Sequence, residues 1–499
     1  MQPRRTSKRL QSKALATLTD AEIRNQEAPI STLPPELLST IFEIGLGHSS
    51  DLQHKTSFPR TVAHVSRRWR EVALATSALW TTVTTHTLYP SWLQSSGNRS
   101  LDVHLDLTEI ESNTHIGSTR VRVITEAVTP HLHRMQFFTL FDRNSYLLIN
   151  ALTHLACSRV ERVWISTVVD PDIAWTLPRS NGTAPLKELR VSGLGMDQCP
   201  LPLGDVTTFH FRVCETGQES LRDHQLSGMF TGFDALTTLV LEGPIIEDYD
   251  DDEWSDYKDL VHLPLVTTLA VVRSVPLDIS LAQLLNTLRL PALHTLVIHY
   301  EEEDTLGEAT NASQLEGLSP KFPALRTLEL HAVTNPSFLK PFMHAFPDVT
   351  ALVMPTATRE MLLMMHIAGS WSGESWRRLR TLTIGGLRYP SREQEYQFVD
   401  DVSTLIKSAK DNGRCPEFES VRIGEKLRAR GRPVGDALRY SLVSAGVDVE
   451  EVSDIEERFE RLVPEAFREL GEEEEEDGDD DDDDDDDEED AVYSHAGIW

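Results

Sequence analysis

The sequence has few cysteines and no long apolar run, and both absences limit the class of protein. Its cysteines lie far apart, without a CxxC pair or zinc-type histidine spacing: Cys157, Cys199, Cys214 and Cys415. They indicate buried thiols rather than a disulfide framework or a zinc site. The first residues are basic, but no signal-peptide core follows, and no segment reaches membrane-spanning length. We expect a soluble protein of the cytoplasm, the nucleus or both.

The motifs of common catalytic sites are also missing. The sequence has no glycine-rich phosphate loop, no HExxH and no nucleophile elbow. Gly193-Leu194-Gly195 is an isolated GxG, which is typical of a loop, and the 18 histidines are scattered. We therefore predict a protein that is not an enzyme and that has no cofactor and no metal site.

Negative charge is what the sequence has in excess, with a formal net charge of −32. Residues 472–490 contain 18 acidic residues and Gly478 alone interrupts them. Such a run repels itself and cannot bury apolar surface, so residues 472–499 are predicted to be a disordered acidic tail. Residues 1–29 are predicted to be a disordered basic terminus.

Residues 30–83 contain two predicted helices with more apolar surface than so short a stretch can bury. Leu33-Pro34-Pro35-Glu36 opens the first helix, because proline fits the first turn and a glutamate there favours the helix dipole. Apolar residues at helical spacing follow in this first helix: Leu37, Leu38, Ile41, Phe42 and Ile44. A second helix is predicted with one apolar face, made of Val62, Val65, Trp69, Val72 and Ala73. The surplus predicts contact with a partner or a neighbouring domain.

The order L-P-x-E-L-x-x-x-I-F, V-x-x-x-W-R and L-W in this stretch resembles the F-box family. F-boxes are helical modules that dock on the Skp-type adaptor of cullin-based ubiquitin ligases. Ser66 stands where many F-boxes have cysteine, and the segment from Phe42 to Val65 is longer than usual. The resemblance implies an adaptor-binding face made of Leu33, Pro34, Leu37, Ile41, Val65, Trp69 and Trp80. An ordinary small helical domain packed on its own chain is the alternative.

After a predicted linker or cap at residues 84–131, the phrase hydrophobic-x-x-hydrophobic-x-hydrophobic occurs eleven times. Its fourth and sixth residues alternate with polar or β-branched ones, as in a strand with one buried face. Helical patterns such as Ser280–Leu290 and Ser337–Phe346 lie between phrases, at a spacing typical of solenoids. The phrases begin at Leu132, Val160, Leu186, Val206, Leu236, Val266, Leu293, Leu325, Val349, Leu379 and Phe418.

The repeats predict parallel strands stacked in a right-handed coil, with helices outside. They resemble the leucine-rich-repeat family, without the asparagine or cysteine that usually follows its core. The predicted fold class is α/β: a helical F-box-like module, an irregular leucine-rich-repeat-like solenoid at 132–425, cap helices at 426–471 and the tail. An amphipathic helix at 454–470 is expected to cover the last apolar edge. A plain α/β sandwich of parallel strands is the alternative.

The third and fifth positions of each phrase are expected to face solvent and to recognise a substrate. A tryptophan on a concave surface is a natural hot spot, and arginines at its N-terminal end could bind an acidic or phosphorylated peptide. The substrate-binding candidates are Arg134, Arg162, Trp164, Arg190, Val240 and Val297. A run of threonines at third positions also fits a plain exposed sheet. Acidic clusters at 247–256 and 301–304 are predicted on one rim, as solvated loops or as a patch for a basic partner.

These observations lead to two hypotheses of different kinds. The first is an F-box substrate receptor, which binds a Skp-type adaptor and a cullin scaffold and recruits a protein substrate through its solenoid for ubiquitination. The second is a non-catalytic acidic interaction scaffold or chaperone for basic partners. Neither a membrane nor a nucleic acid is expected among the partners.

Overall fold

The computed structural model describes the chain in segments separated by gaps. The described residues are 29–48, 51–108, 115–142, 159–167, 186–193, 203–213, 223–243, 245, 260–273, 279–300, 315, 318, 321–333, 339–357, 361, 376–387, 401–404, 406–407, 417–424, 443, 447–452, 459 and 461–463. Helices dominate the first two segments, and a strand recurs in most of the others.

Three helices open the described chain: α1 (Pro35–Gly47), α2 (Leu52–Val65) and α3 (Arg67–Ala75). The 3-10 turns Pro29–Thr32 and Ser77–Trp80 flank them. Pro35 begins α1, at a position where backbone donors have no helical partner. The three helices contact one another through their buried faces.

The prediction of a single second helix is wrong, because Ser66 interrupts it and divides it into two helices. Ser66 is extended, with φ −156° and ψ 167°, so α2 ends before it and α3 begins after it. Its hydroxyl accepts a hydrogen bond from the Trp69 amide at 3.2 Å, as a helix N-cap does. Asp51 caps α2 in the same way, through the amides of Gln53 and His54.

A fourteen-stranded parallel sheet follows the helices, in the order β1-β2-β3-β4-β5-β6-β7-β9-β11-β12-β13-β14-β15-β16. Its strands are β1 (Thr82–Thr84), β2 (Leu101–Asp106), β3 (Met135–Asp142), β4 (Arg162–Thr167), β5 (Glu188–Ser192), β6 (Thr208–Arg212), β7 (Thr238–Glu242), β9 (Thr268–Arg273), β11 (Thr295–Tyr300), β12 (Thr327–His331), β13 (Ala351–Ala357), β14 (Thr381–Leu387), β15 (Ser420–Gly424) and β16 (Asp448–Val452). Strands β8 (Val261–His262) and β10 (Leu288–Arg289) form a separate parallel pair. The strands of the large sheet stack in chain order, as in a solenoid.

Each of the eleven phrases lies at one strand from β3 to β15, which confirms the predicted stack of parallel strands. Ten phrases are in register with one another, so that equivalent positions pair across the sheet. The third positions, for example, pair in sequence from Arg162 through Glu188, Thr208 and Thr238 to Thr268. The threonine run therefore forms a column on one face of the sheet.

The phrase at Leu132 is the exception, because its register is displaced by three residues. Phe137, not Arg134, pairs with the third position Arg162. Leu132 and Arg134 lie in the 3-10 helix Thr129–Arg134, which leads into β3. The predicted position of Arg134 on the strand is therefore wrong.

The large sheet has two faces with different partners. Fourth and sixth residues such as Leu239 and Leu241 belong to a continuous apolar core that also contains helical residues such as Leu285 and Phe342. We call this side the helix face. The opposite side carries the third and fifth residues and the residue after the sixth, and we call it the odd-position face. Helices in the described part of the solenoid include α4 (Pro90–Ser95), α5 (His115–Val128), α6 (Asp223–Met229), α7 (Ile279–Thr287) and α8 (Leu339–Ala345).

The sheet extends past the phrases at both ends. Strands β1 and β2 precede the first phrase, and β1 begins two residues after Trp80 at the end of the helical module. Strand β16 follows the last phrase and pairs with β15. The helical module and the solenoid are therefore joined through a strand that belongs to the sheet, and the segment 84–131, predicted to be a linker or cap, contributes β2 to the same sheet.

Several sequence predictions fall on residues outside the described segments. They concern the four cysteines, the acidic clusters at 247–256 and 301–304, the basic terminus and the acidic tail. Among the described residues, no helix combines the length and apolar character that a membrane span requires.

Candidate protein-binding surfaces

The N-terminal helices present an apolar surface to solvent. Leu37 is 51% exposed and Ile41 is 44% exposed, and Ile44, Val65 and Leu74 are similarly accessible. Leu37, Ile41 and Ile44 recur at intervals of three and four residues, so they lie along one side of α1. Apolar groups clustered in this way on a surface are typical of a protein contact.

The buried sides of the same helices hold the module together. Leu38 and Phe42 of α1 are buried, and the Phe42 ring lies 5.0 Å from the Trp69 ring of α3. The Arg68 guanidinium donates a hydrogen bond to the Leu33 carbonyl, which fixes the entry to α1. Each helix therefore has one face for packing, and α1 also has a second apolar face that is exposed.

The seven sequence-predicted adaptor residues differ in exposure. Leu37, Ile41, Val65 and Pro34 are exposed, whereas Leu33 and Trp69 are half-buried against the core. Ile44 and Leu74 were missing from the predicted set although they are exposed. The helical spacing from Ile41 is the signal that could have identified Ile44.

Trp80 was predicted to belong to an adaptor-binding face, and the structure corrects this, because Trp80 is only 6% exposed. Its indole N–H donates to the Ala73 carbonyl at 2.8 Å, and its ring meets the Trp92 ring edge-on at 4.6 Å. The Trp92 indole donates in turn to the Thr82 carbonyl of β1. Trp80 thus attaches the helical module to the first strand of the sheet.

Arg134 is a structural residue and not a substrate contact, because its side chain is buried. Its guanidinium donates to the Ser96 hydroxyl at 2.9 Å and to the carbonyls of Gly97, Arg99 and Leu93 at 2.6, 3.1 and 3.0 Å. These acceptors lie at the end of α4 and in the turn after it. One buried cation therefore fastens this turn to the segment before β3.

The N-terminal part of the odd-position face carries aromatic and charged side chains in contact. The Arg190 guanidinium lies 4.5 Å from the centre of the Trp164 ring, and Arg162 lies 4.4 Å from that of Phe137. Glu188 accepts hydrogen bonds from the Trp164 indole at 3.0 Å and from Arg190 at 2.6 Å. Arg162 and Trp164 are half-buried, while Arg190 is buried.

A buried ionic group continues this face on β6 and β7. His210 Nε2 lies 2.7 Å from a Glu242 carboxylate oxygen, and Arg212 Nε lies 3.3 Å from the other. Burial lowers the pKa of His210, and the hydrogen bond and charge of Glu242 oppose that change without cancelling it. At neutral pH the imidazole is therefore uncharged, and Arg212 supplies the cation that faces Glu242.

The middle of the odd-position face is covered by the chain's own C-terminal segment. Val240, Ala270, Val272 and Val297 are fully buried and form a second apolar cluster with Phe459, Val463 and Leu462. We call residues 459–463 the strap. Val240 and Val297 were predicted to face solvent as substrate contacts, and the structure corrects both, because the strap lies over them.

Aromatic stacking and hydrogen bonds fix the strap at both sides of this cluster. The Phe459 ring stacks on the imidazoles of His299 and His331, with ring centres 4.5 and 4.4 Å apart. Arg190 donates to the carbonyls of Leu462 and Arg461 at 3.1 and 3.2 Å. The predicted C-terminal helix at 454–470 thus contributes residues to the middle of the sheet, whereas β16 occupies the end that the helix was expected to cover.

The two histidines of this contact were missed from the sequence. His299 and His331 occupy the seventh position of their phrases, one residue beyond the pattern that was searched, and they pair in register on β11 and β12. Extending the phrase by one residue would have identified them.

His104 on β2 gives the N-terminal part of the face a dependence on pH. Burial lowers its pKa from 6.5 to about 4, with smaller contributions from the charges of Lys55 and Arg162. The folded chain binds a proton at His104 more weakly than the unfolded chain does. His104 therefore makes its full contribution to stability only above its pKa in the unfolded chain. That contribution is lost as the pH falls from about 6.5 towards 4. Asp102 nearby has a raised pKa, mainly through burial, and acts with the opposite sign.

We expect His104→Gln to reduce the loss of stability on acidification. Between pH 7 and pH 5, the wild-type chain should lose on the order of 2 kcal/mol more unfolding free energy than the variant. Urea denaturation at the two pH values measures this difference, and titrating groups that do not interact with His104 cancel in the comparison. Equal losses in the two chains would show that His104 does not titrate differently on folding.

The described residues contain no group of three or more histidine, cysteine, aspartate or glutamate side chains arranged to hold a metal ion. The described residues present two candidate binding surfaces, an exposed apolar helix face and a sheet face partly covered by the strap. Together they define a helical docking module joined to a parallel-strand solenoid.

Comparison with known families agrees with this division at the N-terminus. Residues 30–86 match the F-box-like family, so the match includes the three helices and β1. No curated protein matches the chain. A solved structure described as "Crystal structure of TLR13-ssRNA13 complex" matches with 13% identity and a TM-score of 0.22. That match covers 69% of this chain and 58% of the other. A TM-score this low does not indicate a shared fold or function.

Proposed function

We propose that the protein is an F-box substrate receptor, with a solenoid of the leucine-rich-repeat type. Its N-terminal helices bind a Skp-type adaptor linked to a cullin scaffold, and its odd-position face recruits a protein substrate for ubiquitination. The observation that carries the proposal is the exposed apolar side of α1, with Leu37 and Ile41, inside the stretch that matches the F-box-like family.

The proposed role requires no catalytic residue in this chain. A receptor accelerates ubiquitin transfer by holding its substrate near the reacting groups, which replaces an encounter in solution by a local one. The direct join between the helical module and the sheet supports this role, because it holds the solenoid in a defined position relative to the adaptor-binding helices.

Binding of the purified chain to a purified Skp-type adaptor tests the proposal. We expect one-to-one binding whose affinity changes less than about threefold between about 0.1 M and 0.5 M salt, because the contact is apolar and salt screens charges only. Deletion of residues 472–490 should leave this affinity unchanged. No measurable binding to any Skp-type adaptor would contradict the proposal.

The same salt series separates this proposal from the acidic scaffold. A scaffold that works through its acidic run should bind basic partners with an affinity that decreases steeply with salt and vanishes when residues 472–490 are deleted. Adaptor binding that behaves in this way would favour the scaffold over the receptor.

A further inference from the structure

The strap has the form of a bound ligand. Phe459, Leu462 and Val463 are spaced at i, i+3 and i+4, and the Val463 amide donates to the Phe459 carbonyl at 2.9 Å, so they share one side of a helical turn. All three contact the apolar cluster on the sheet. Recognition of a short amphipathic helix in an apolar groove uses the same spacing.

The surface beneath the strap is matched to each part of that turn. The imidazoles of His299 and His331 flank the aromatic ring at the first position. Val240, Ala270 and Val297, which have small aliphatic side chains, leave room above the sheet for the aliphatic residues at the fourth and fifth positions. Arg190 donates to two carbonyls at the end of the turn, where helical carbonyls have no partner within the helix.

The strap can reach this site from the end of the sheet. Phe459 lies over β11 and β12, and β12 is four strands from β16, or about 19 Å at the usual spacing of parallel strands. The seven residues from Val452 to Phe459 can span up to about 25 Å when extended. From Phe459 the strap leads back towards Arg190 on β5, so it crosses the strands from the C-terminal towards the N-terminal part of the sheet.

Two features indicate that the surface beneath the strap is a binding site rather than ordinary core. The apolar cluster under the strap is separate from the continuous core on the helix face. Its polar neighbours, Arg190, His299 and His331, all contact the strap. The strap can therefore dissociate from the sheet without exposing the continuous core on the helix face.

We infer that the middle of the odd-position face, beneath the strap, is a groove for a helical turn with an aromatic residue at its first position and aliphatic residues at its fourth and fifth. The strap occupies this groove in cis, and a protein that presents the same pattern binds in its place. The statement that this protein is the substrate to be ubiquitinated rests on the proposed function. Occupancy of the groove does not depend on it.

Competition between the strap and a peptide tests the inference in the full-length chain. The probe is a fluorescein-labelled synthetic peptide with the sequence of residues 454–468, and fluorescence anisotropy measures its affinity. We expect at least tenfold tighter binding to the Phe459→Asp chain than to the wild-type chain. A tethered segment competes at an effective concentration in the millimolar range, and the substitution removes that competition.

Matched peptides and a second chain control for nonspecific binding and for folding. A peptide carrying Phe459→Asp should not bind any chain, whereas one carrying Glu460→Gln, which lies outside the i, i+3, i+4 pattern, should bind within about threefold of the original. A Phe459→Leu chain keeps an apolar residue but loses the aromatic stacking, and its peptide affinity should lie between those of the other two chains. This chain decides the test if circular dichroism shows that Phe459→Asp is unfolded.

Equal peptide affinity for the wild-type, Phe459→Leu and Phe459→Asp chains would overturn the inference, as would equal affinity for the peptide that carries Phe459→Asp. Adding Arg190→Gln to the released chain should weaken the peptide at least fivefold, and no change would count against the proposed groove. These measurements contain no adaptor. Their outcome is therefore independent of the adaptor-binding experiment, and either proposal can fail without the other.

Discussion

A chain that carries both Leu37→Asp and Ile41→Asp should bind a Skp-type adaptor at least about 100-fold more weakly than the wild type. Both side chains are exposed on the same side of α1, so both would lie in the proposed interface. Placing a carboxylate in an apolar contact costs several kcal/mol when it has no partner there. Isothermal titration with purified adaptor measures the loss.

The same double substitution should leave the chain folded. Substitutions at exposed positions usually change stability by less than about 0.5 kcal/mol. Leu265→Asp is the matched control, because Leu265 is as exposed as Leu37 and lies in the solenoid just before β9. We expect the control chain to bind adaptor like the wild type. Full adaptor binding by the double variant would refute the assignment of α1 as the docking face.

Arg134→Met should destabilise the protein by about 3 kcal/mol, because it removes four hydrogen bonds, two of them to acceptors of the buried residues Ser96 and Leu93. Methionine fills a similar volume, so the loss is that of the hydrogen bonds rather than of packing. Chemical denaturation followed by tryptophan fluorescence is a suitable measurement, since Trp92 lies in α4, whose end these bonds fasten.

Arg162→Met provides the comparison for Arg134. Arg162 is half-buried over the Phe137 ring, and such a cation–π contact contributes about 0.5–1 kcal/mol at an accessible site. We therefore expect the Arg162 variant to lose less than about 1 kcal/mol of unfolding free energy. If both variants were equally stable, Arg134 would not have the structural role described above.

Much of the sheet could be predicted from the sequence, because each strand carries its own pattern of buried and polar residues. The phrase at Leu132 was placed wrongly for a local reason. Apolar residues at 132, 135, 137, 138 and 140 satisfy the phrase in two registers, and pairing with β4 decides between them. A single segment does not contain that information.

The surfaces were harder to predict than the strands, because burial on the odd-position face depends on distant residues. Val240 and Val297 occupy positions that alternate correctly for exposure, yet the strap, more than 160 residues further along, covers them. Valine and alanine at three neighbouring fifth positions were the available sign that this part of the face is not open to water. Trp80 was misplaced for a related reason, since its neighbour Trp92 lies beyond the motif.

The join between α3 and β1 has a mechanical consequence. Trp80 and Trp92 pack between the last helix and β1, which is hydrogen-bonded into the sheet. These contacts should prevent rotation of the helical module relative to the sheet. The molecule should behave as a rigid arm, in which the distance from the docking helices to the strap is set by the number of strands between them. Adding or removing one repeat between them would then change the distance from the docking helices to the strap by about 4.8 Å, the spacing of neighbouring strands.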